Sequence, residues 1–213
     1  MKLEAAIFDL DGTLLDSMPI WQGLGENYLL QKKLQPARGL QDALKKMSLP
    51  QAAQHFQAVY GLREAEETIL SEITTLIADF YRYEVPLKAG VAEYLQKLQA
   101  QNVKMCIATA TERHLAESAL ERLGIRKYFS TILTSSEVKA GKEDPLIYQR
   151  ALEQLGAPSR KTVVFEDALH AIVTATAAGF RVVGVYDETS AQDRERIKAL
   201  TEQYIYSFSD WKG

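Results

Sequence analysis

The sequence predicts an α/β protein whose alternating strand–helix core, built on a mainly parallel sheet, is interrupted by one long helical insertion. Three observations lead there. Short apolar runs recur after Pro86 with helical stretches between them. From Ser17 to Glu84 the spacing is helical throughout, with no clear strand. Gly124, Gly156 and Gly179 each follow a helical stretch just ahead of the next apolar run, as glycine does where a helix must stop.

The elements follow in chain order. Residues 3–9 read as a first strand, ending in an Asp-Gly-Thr turn. In the insertion, Ile20, Trp21, Leu24, Tyr28 and Leu29 form one helical face despite Gly23 and Gly25. Ser48-Leu49-Pro50-Gln51 has the form of a capping box for a helix stopping near Gly61. Ile69, Ile73, Leu76, Ile77, Phe80 and Tyr81 define a second face, behind an acidic Glu64–Glu67 run that suits a helix start. Beyond Pro86, strands are expected at 103–108, 132–134, 162–165 and 181–186, with helices at 113–123, 145–155 and 168–178. Crossovers between such strands are right-handed, which gives a Rossmann-like sheet. The domain division is 1–16 with 86–213 for the α/β core and 17–85 for the helical insertion.

Bulk properties narrow the function. The 213 residues are 46% hydrophobic and 25% charged, enough apolar content for a packed core. A net charge of -3 gives no electrostatic case for nucleic acid or an anionic membrane. The lone Cys106 allows no intrachain disulfide and, lying inside an apolar run, reads as an inert buried thiol. The start of the chain shows no signal-peptide pattern, and no apolar stretch is long enough to span a bilayer. A cytoplasmic monomer is the expectation.

In an open parallel sheet, ligands bind at the C-terminal edges of the strands. Those edges carry Asp9 with Asp11, Thr109, the loop to Lys142, and Glu166-Asp167. Acids there can hold a divalent cation, and a carboxylate can attack phosphorus. Each signal has a plainer reading: a D-x-D-G turn, a threonine cap, a solvated lysine, acids favouring a helix dipole. The histidines His55, His114 and His170 lack the spacing of a metal triad and read as surface or packing residues, although His114 and His170 stand near the strand-end motifs. The Lys45-Lys46 pair reads as a solvated face.

Taken together, FDLDGTLLDS, ATAT (Ala108–Thr111), AGKEDPLIY around Lys142 and VVFEDALHAIVTATAAG resemble, in order, the four motifs of the haloacid dehalogenase-like hydrolase superfamily. The insertion falls where the branch with a helical cap carries that cap, a branch holding phosphoglycolate phosphatases and β-phosphoglucomutases. The resemblance implies a phosphatase acting on a small phosphorylated metabolite, with magnesium as cofactor. Asp9 would be the nucleophile and Asp11 the general acid and base. Lys142 would neutralise charge. Thr109, with Ala110 beside it, would bind the phosphoryl group. Asp9, the carbonyl of Asp11 and Asp167 would hold the metal, with Glu166 direct or through water. Closure of the cap, hinged near Ser17 and Pro86, would exclude water. Asp11 argues for phosphoryl chemistry over dehalogenation. The mutase branch uses a cap histidine and arginine where this chain aligns Trp21 and Leu49. The phosphonatase branch uses a cap lysine, and Lys32, Lys33, Lys45 and Lys46 lack its context. Ala168 and Ala171 replace the Ser and Gly common in the fourth motif. Trp21 has two readings, a substrate-facing residue and a cap-core aromatic. A phosphomutase and a non-catalytic binding protein remain alternatives.

Overall fold

The computed structural model describes residues 3–44, 47 and 49–211, leaving aside the side chains of Asp42 and Leu49. The chain divides into two compact units, Met1–Ser17 with Val85–Gly213, and Met18–Glu84. Among the described residues no helix is long and apolar enough to cross a membrane.

The first unit is built on six strands: β1 (Ala5–Phe8), β2 (Lys104–Thr109), β3 (Thr131–Thr134), β4 (Thr162–Glu166), β5 (Arg181–Val185) and β6 (Gln203–Ile205). All pair in parallel, in the order β3-β2-β1-β4-β5-β6. The α/β, Rossmann-like expectation therefore holds, and the sheet is parallel throughout the described residues. Every residue of β1 is buried, because helices cover both faces of a central parallel strand. That requirement is why its sequence is a continuous apolar run rather than an alternating one. The first strand is shorter than the expected 3–9, although backbone bonds from Glu4 N to Lys161 O and Asp9 N to Phe165 O carry its alignment past both ends.

The helical unit contains α1 (Met18–Gln31), α2 (Leu40–Leu44), α3 (Leu49–Tyr60) and α4 (Glu66–Asp79), the last running into a wider π-type turn, Phe80–Glu84. Ile69, Ile73, Ile77 and Tyr81 are buried, while Leu76 and Phe80 on the flank of that face are half-buried. Burial of each isoleucine contributes roughly 1.5–3 kcal/mol. At Gly25 a Cβ would stand 2.2 Å from Leu44 Cδ1, so glycine there lets α1 and α2 approach. Lys32 joins Glu64 (2.9 Å) and Glu72 (2.7 Å), and Tyr28 donates to Glu72 at 2.7 Å. The expected cap at Ser48 and the Lys45-Lys46 pair lie outside the described residues.

Around the sheet stand α5 (Val91–Ala100), α6 (Arg113–Arg122), α7 (Ser135–Val138), α8 (Leu146–Leu155), α9 (Leu169–Ala177) and α10 (Arg194–Leu200). One face of the sheet packs an aromatic cluster, in which Phe8 stacks on Phe165 with centroids 4.7 Å apart and Tyr94, Phe129 and Phe208 surround it. The other face packs Ile7, Cys106 and Val164 against Tyr148 and Ile172. Cys106 is fully buried, and burial pushes its thiol well above the usual range, so it is inert as expected. Gly156 caps α8 in the left-handed conformation (φ 57°) that ends the helix.

Candidate active site

The strand order reverses about β1: β2 and β3 lie on one side of it, β4, β5 and β6 on the other. Side chains leaving the C-terminal ends of β1 and β4 therefore meet at one crevice. Asp9 follows β1 with its amide still bonded to Phe165 O, and its side chain is buried. Glu166 ends β4, and Asp167 follows it; both are buried. One carboxylate oxygen from each of Asp9, Glu166 and Asp167 lies within 4.8 Å of the others.

Lys142, from the loop before α8, reaches this group. Its Nζ donates to Asp9 Oδ1 and, at 2.7 Å, to Glu166 Oε2. Burial alone would lower the lysine pKa, but Asp9 and Glu166 together hold it well above the ordinary range. Burial first, and then the charge of Glu166, push Asp9 up to about 7 against the opposing pull of Lys142. Burial, and then the charges of Glu166 and Asp9, push Asp167 well above the usual carboxylate range. If all three carboxylates ionise, the one ammonium leaves two negative charges in excess. A divalent cation matches that excess and this all-oxygen donor set.

Glu166 is saturated. Oε2 accepts from Lys142 and from the Tyr148 hydroxyl (3.2 Å), while Oε1 accepts from the backbone N–H of Asp167 (3.2 Å) and Ala168 (3.3 Å). Both amides stand just ahead of α9, whose N-cap residue Ala168 makes no side-chain cap. Ala171 is fully buried.

The turn after β1 places Asp11. Gly12 adopts φ +80°, and its N–H donates to Leu15 O. A Cβ at Gly12 would lie 2.6 Å from Asp167 Oδ2, so both backbone hand and space require glycine. Thr13 Oγ1 donates to Asp167 Oδ1 at 3.2 Å. The Asp11 carboxylate stands outside the three-acid cluster and accepts from Ser17 Oγ (2.6 Å) and Thr111 Oγ1. Thr109 ends β2; its Oγ1 accepts from Thr111 N–H (3.0 Å), which leaves its own proton to donate.

The structure thus brings Asp9, Lys142, Glu166 and Asp167 into contact range and sets Asp11 and Thr109 at the same sheet edge. Ala110 is exposed beside Thr109. Trp21 belongs to the helical unit; it is 38% exposed, and its Nε1 donates to the Tyr81 hydroxyl at 3.3 Å. It sits in the first turn of α1, ahead of the buried Leu24, Tyr28 and Leu29, and its ring meets that of buried Tyr81 edge-on at 6.5 Å. His114 and His170 are exposed, and His55 packs edge-on against Phe56 and Tyr60. The sequence gives no site role to Thr13, Thr111 and Tyr148, and marks Ser17 only as a neighbour of the hinge. Thr13 and Ser17 lie inside the first motif, and Thr111 inside the second; their hydroxyl chemistry was the available signal.

A parallel α/β sheet with a buried acid–lysine cluster at its switch point can hold a cation and presents a carboxylate at a strand end. The family model for haloacid dehalogenase-like hydrolases matches residues 6–185, and the chain belongs to that family. The "Phosphorylated carbohydrates phosphatase" of Thermotoga maritima is 30% identical over 188 residues, 86% of this chain and 85% of that protein. The "Glycerol-1-phosphate phosphohydrolase 2" of Saccharomyces cerevisiae is 30% identical over 207 residues, 87% of this chain and 75% of its own length. Among solved structures, a Thermotoga maritima protein provisionally named beta-phosphoglucomutase shares the fold at TM-score 0.81 and 24% identity, covering 98% of this chain and 96% of that one. These named relatives agree with the expectation of an enzyme acting on phosphate esters.

Proposed function

We propose that the chain is a magnesium-dependent phosphatase that hydrolyses a small phosphate monoester through an aspartyl-phosphate on Asp9. The observation that carries this reading is Lys142 bridging Asp9 and Glu166 beside Asp167, at the crevice where the strand order reverses. The α/β unit (1–16 and 86–213) is then the catalytic core, and 17–85 the helical cap of the family. The enzyme works as a cytoplasmic monomer on a phosphorylated metabolite.

Asp9, Asp167 and the Asp11 carbonyl would hold the magnesium, with Glu166 beside them. When bound, the ion would supply positive charge to offset that of the phosphoryl group. Asp9 Oδ attacks phosphorus, forming the acyl-phosphate bond as the bond to the leaving oxygen breaks. Lys142 offsets the charge shared by Asp9 and the phosphoryl group, and the free proton of Thr109 donates to a phosphoryl oxygen. Asp11 gives its proton to the leaving oxygen and then takes one from the water that attacks the aspartyl-phosphate, releasing phosphate and restoring Asp9. Ser17 and Thr111 hold that carboxylate by both oxygens, apart from the nucleophile. Two aspartates thus take different roles because their surroundings differ.

The test is phosphate release from a panel of phosphorylated sugars, polyols, phosphoglycolate and nucleotides, with magnesium, for wild type and Asp9→Asn. Release that requires both magnesium and Asp9 supports the reading. Equal release by folded Asp9→Asn, or isomerised product with little free phosphate, overturns it.

A further inference from the structure

The C-terminal edge of the sheet carries a second lysine, which the chemistry above does not use. Lys88 lies where the chain returns to the sheet before α5, and its side chain is only 14% exposed. Its three ammonium protons have three acceptors: Gly12 O at 2.6 Å, Tyr186 O at 2.6 Å and Asp187 Oδ2 at 2.8 Å. Its backbone N–H donates to Leu14 O at 2.9 Å, and nearby Asp16 N–H donates to Pro86 O. One residue therefore grips the turn after β1 through both its main chain and its side chain. The far end of the grip is itself fixed, since Asp187 Oδ1 accepts from Thr189 N–H (2.9 Å) and Thr189 Oγ1 (2.7 Å).

The gripped carbonyl belongs to the peptide joining Gly12 to Thr13. On one side of that peptide stands Asp11; on the other, Thr13 donates to Asp167. Gly12 has no side chain to restrain it, and glycine adopts negative φ as readily as the positive φ it holds here, so its own covalent structure does not fix this turn. A small rotation there would move Asp11 and the hydroxyl that orients Asp167. An ammonium with three acceptors at nearly equal distance fixes the carbonyl direction without entering the crevice.

We propose that Lys88 is a positioning residue for phosphoryl transfer: by clamping the Gly12 carbonyl to the end of β5, it sets the turn that presents Asp11 and orients Asp167. This rests on the reading of Asp9, Asp11 and Asp167 as the reacting and metal-holding groups. The plainer alternative is that Lys88 only neutralises buried Asp187. The two differ in what each partner's removal does. Lys88→Met keeps the stem and loses the grip on both carbonyls. Asp187→Asn loses the charge pair but leaves Lys88 its two carbonyl acceptors.

The experiment is calorimetric titration of the full chain with magnesium, alongside thermal melting and steady-state phosphate release. Lys88→Met is expected to bind magnesium about 10-fold more weakly or worse, with turnover at saturating magnesium reduced by a similar factor, as for loss of an outer-shell partner. Asp187→Asn is expected to melt lower yet bind magnesium within about threefold of wild type. Lys88→Arg keeps the charge but not the three-cornered geometry, and repeats the test if the Met variant does not fold; it is expected to fall in the same direction. Lys88 variants that match wild type in magnesium affinity and turnover would overturn the proposal. So would an Asp187→Asn loss as large as that of Lys88→Met. Magnesium uptake by wild type without Asp9-dependent release would sink the phosphatase reading alone, since the Lys88 comparison is still read by calorimetry. A wild type that takes up no magnesium would overturn both.

Discussion

The Tyr148 hydroxyl donates to Glu166 Oε2 at 3.2 Å, on the same oxygen that accepts from Lys142. Burial and the glutamate charge push the phenol well above its usual pKa, so it stays a donor at every working pH. Tyr148→Phe leaves Glu166 its lysine and both backbone donors. The expected loss is about 1 kcal/mol of stability, one neutral-to-charged hydrogen bond less its water exchange. Turnover should fall by less than about 10-fold, because no reacting atom is touched. Urea unfolding and steady-state kinetics measure both, and a wild-type unfolding midpoint would show the bond contributes nothing.

Lys142→Met should behave very differently. It strands Asp9 and Glu166 in a buried site without their cation. Breaking a buried pair from one side costs about 3–5 kcal/mol. Phosphate release should fall by at least about 100-fold, the scale of losing one charge-stabilising donor. Denaturant unfolding at neutral pH and release assays decide it; a variant as stable as wild type would mean that the acids are not held ionised by Lys142.

Gly12→Ala tests the turn. The new methyl would sit 2.6 Å from Asp167 Oδ2 at φ +80°. Strain in that backbone region costs about 1–3 kcal/mol, and Asp167 must move. The variant should melt lower and also bind magnesium more weakly, read by calorimetry. An unchanged magnesium affinity would disconnect Asp167 from the metal.

Asp187 gives the pH dependence. Burial works to raise its pKa, but the bonds from Lys88 and Thr189 outweigh it and hold the carboxyl below the usual range. A carboxylate with a lowered folded pKa adds stability above its unfolded value, about 4, and that contribution disappears as pH falls through the folded value. Asp187→Asn should therefore be less stable than wild type by about 2 kcal/mol at pH 7. The gap should narrow as pH falls below about 4 and close only below the lower folded value, where wild type also loses the charge. Denaturant curves at neutral and acid pH check this, and an equal deficit at both would exclude the charge as its source.

Much of the fold is legible in the chain. Ala5–Phe8, Met105–Ala108 and Val163–Phe165 are unbroken apolar runs because central parallel strands are buried on both faces. Gly156 marks its helix end because a left-handed cap favours glycine. Other elements escaped the reading. In α5, Val91, Tyr94, Leu95 and Leu98 are buried at i, i+3, i+4 and i+7, a helical signal present but not assigned. Strand β6 is a three-residue edge strand whose Gln203 and Tyr204 are half-buried, so no apolar run announces it.

The candidate site divides along the same line. By itself the sequence determined the α/β class, the family, and the gathering of Asp9, Thr109, Glu166 and Asp167 at strand ends. Those follow from local rules: apolar runs make buried strands, and polar residues end them where ligands bind. Only the tertiary structure decided which oxygen meets which donor. Lys142 and Asp9 are 133 residues apart in the chain, Thr111 and Asp11 are 100 apart, and Lys88 and Gly12 are 76 apart. Such pairings depend on strand order and on how far each loop reaches, and no local pattern encodes either. Hence Glu166 could be placed at the edge from sequence, but its saturation by four donors, and the hold of Lys88 on the Gly12 turn, belong to the folded chain alone.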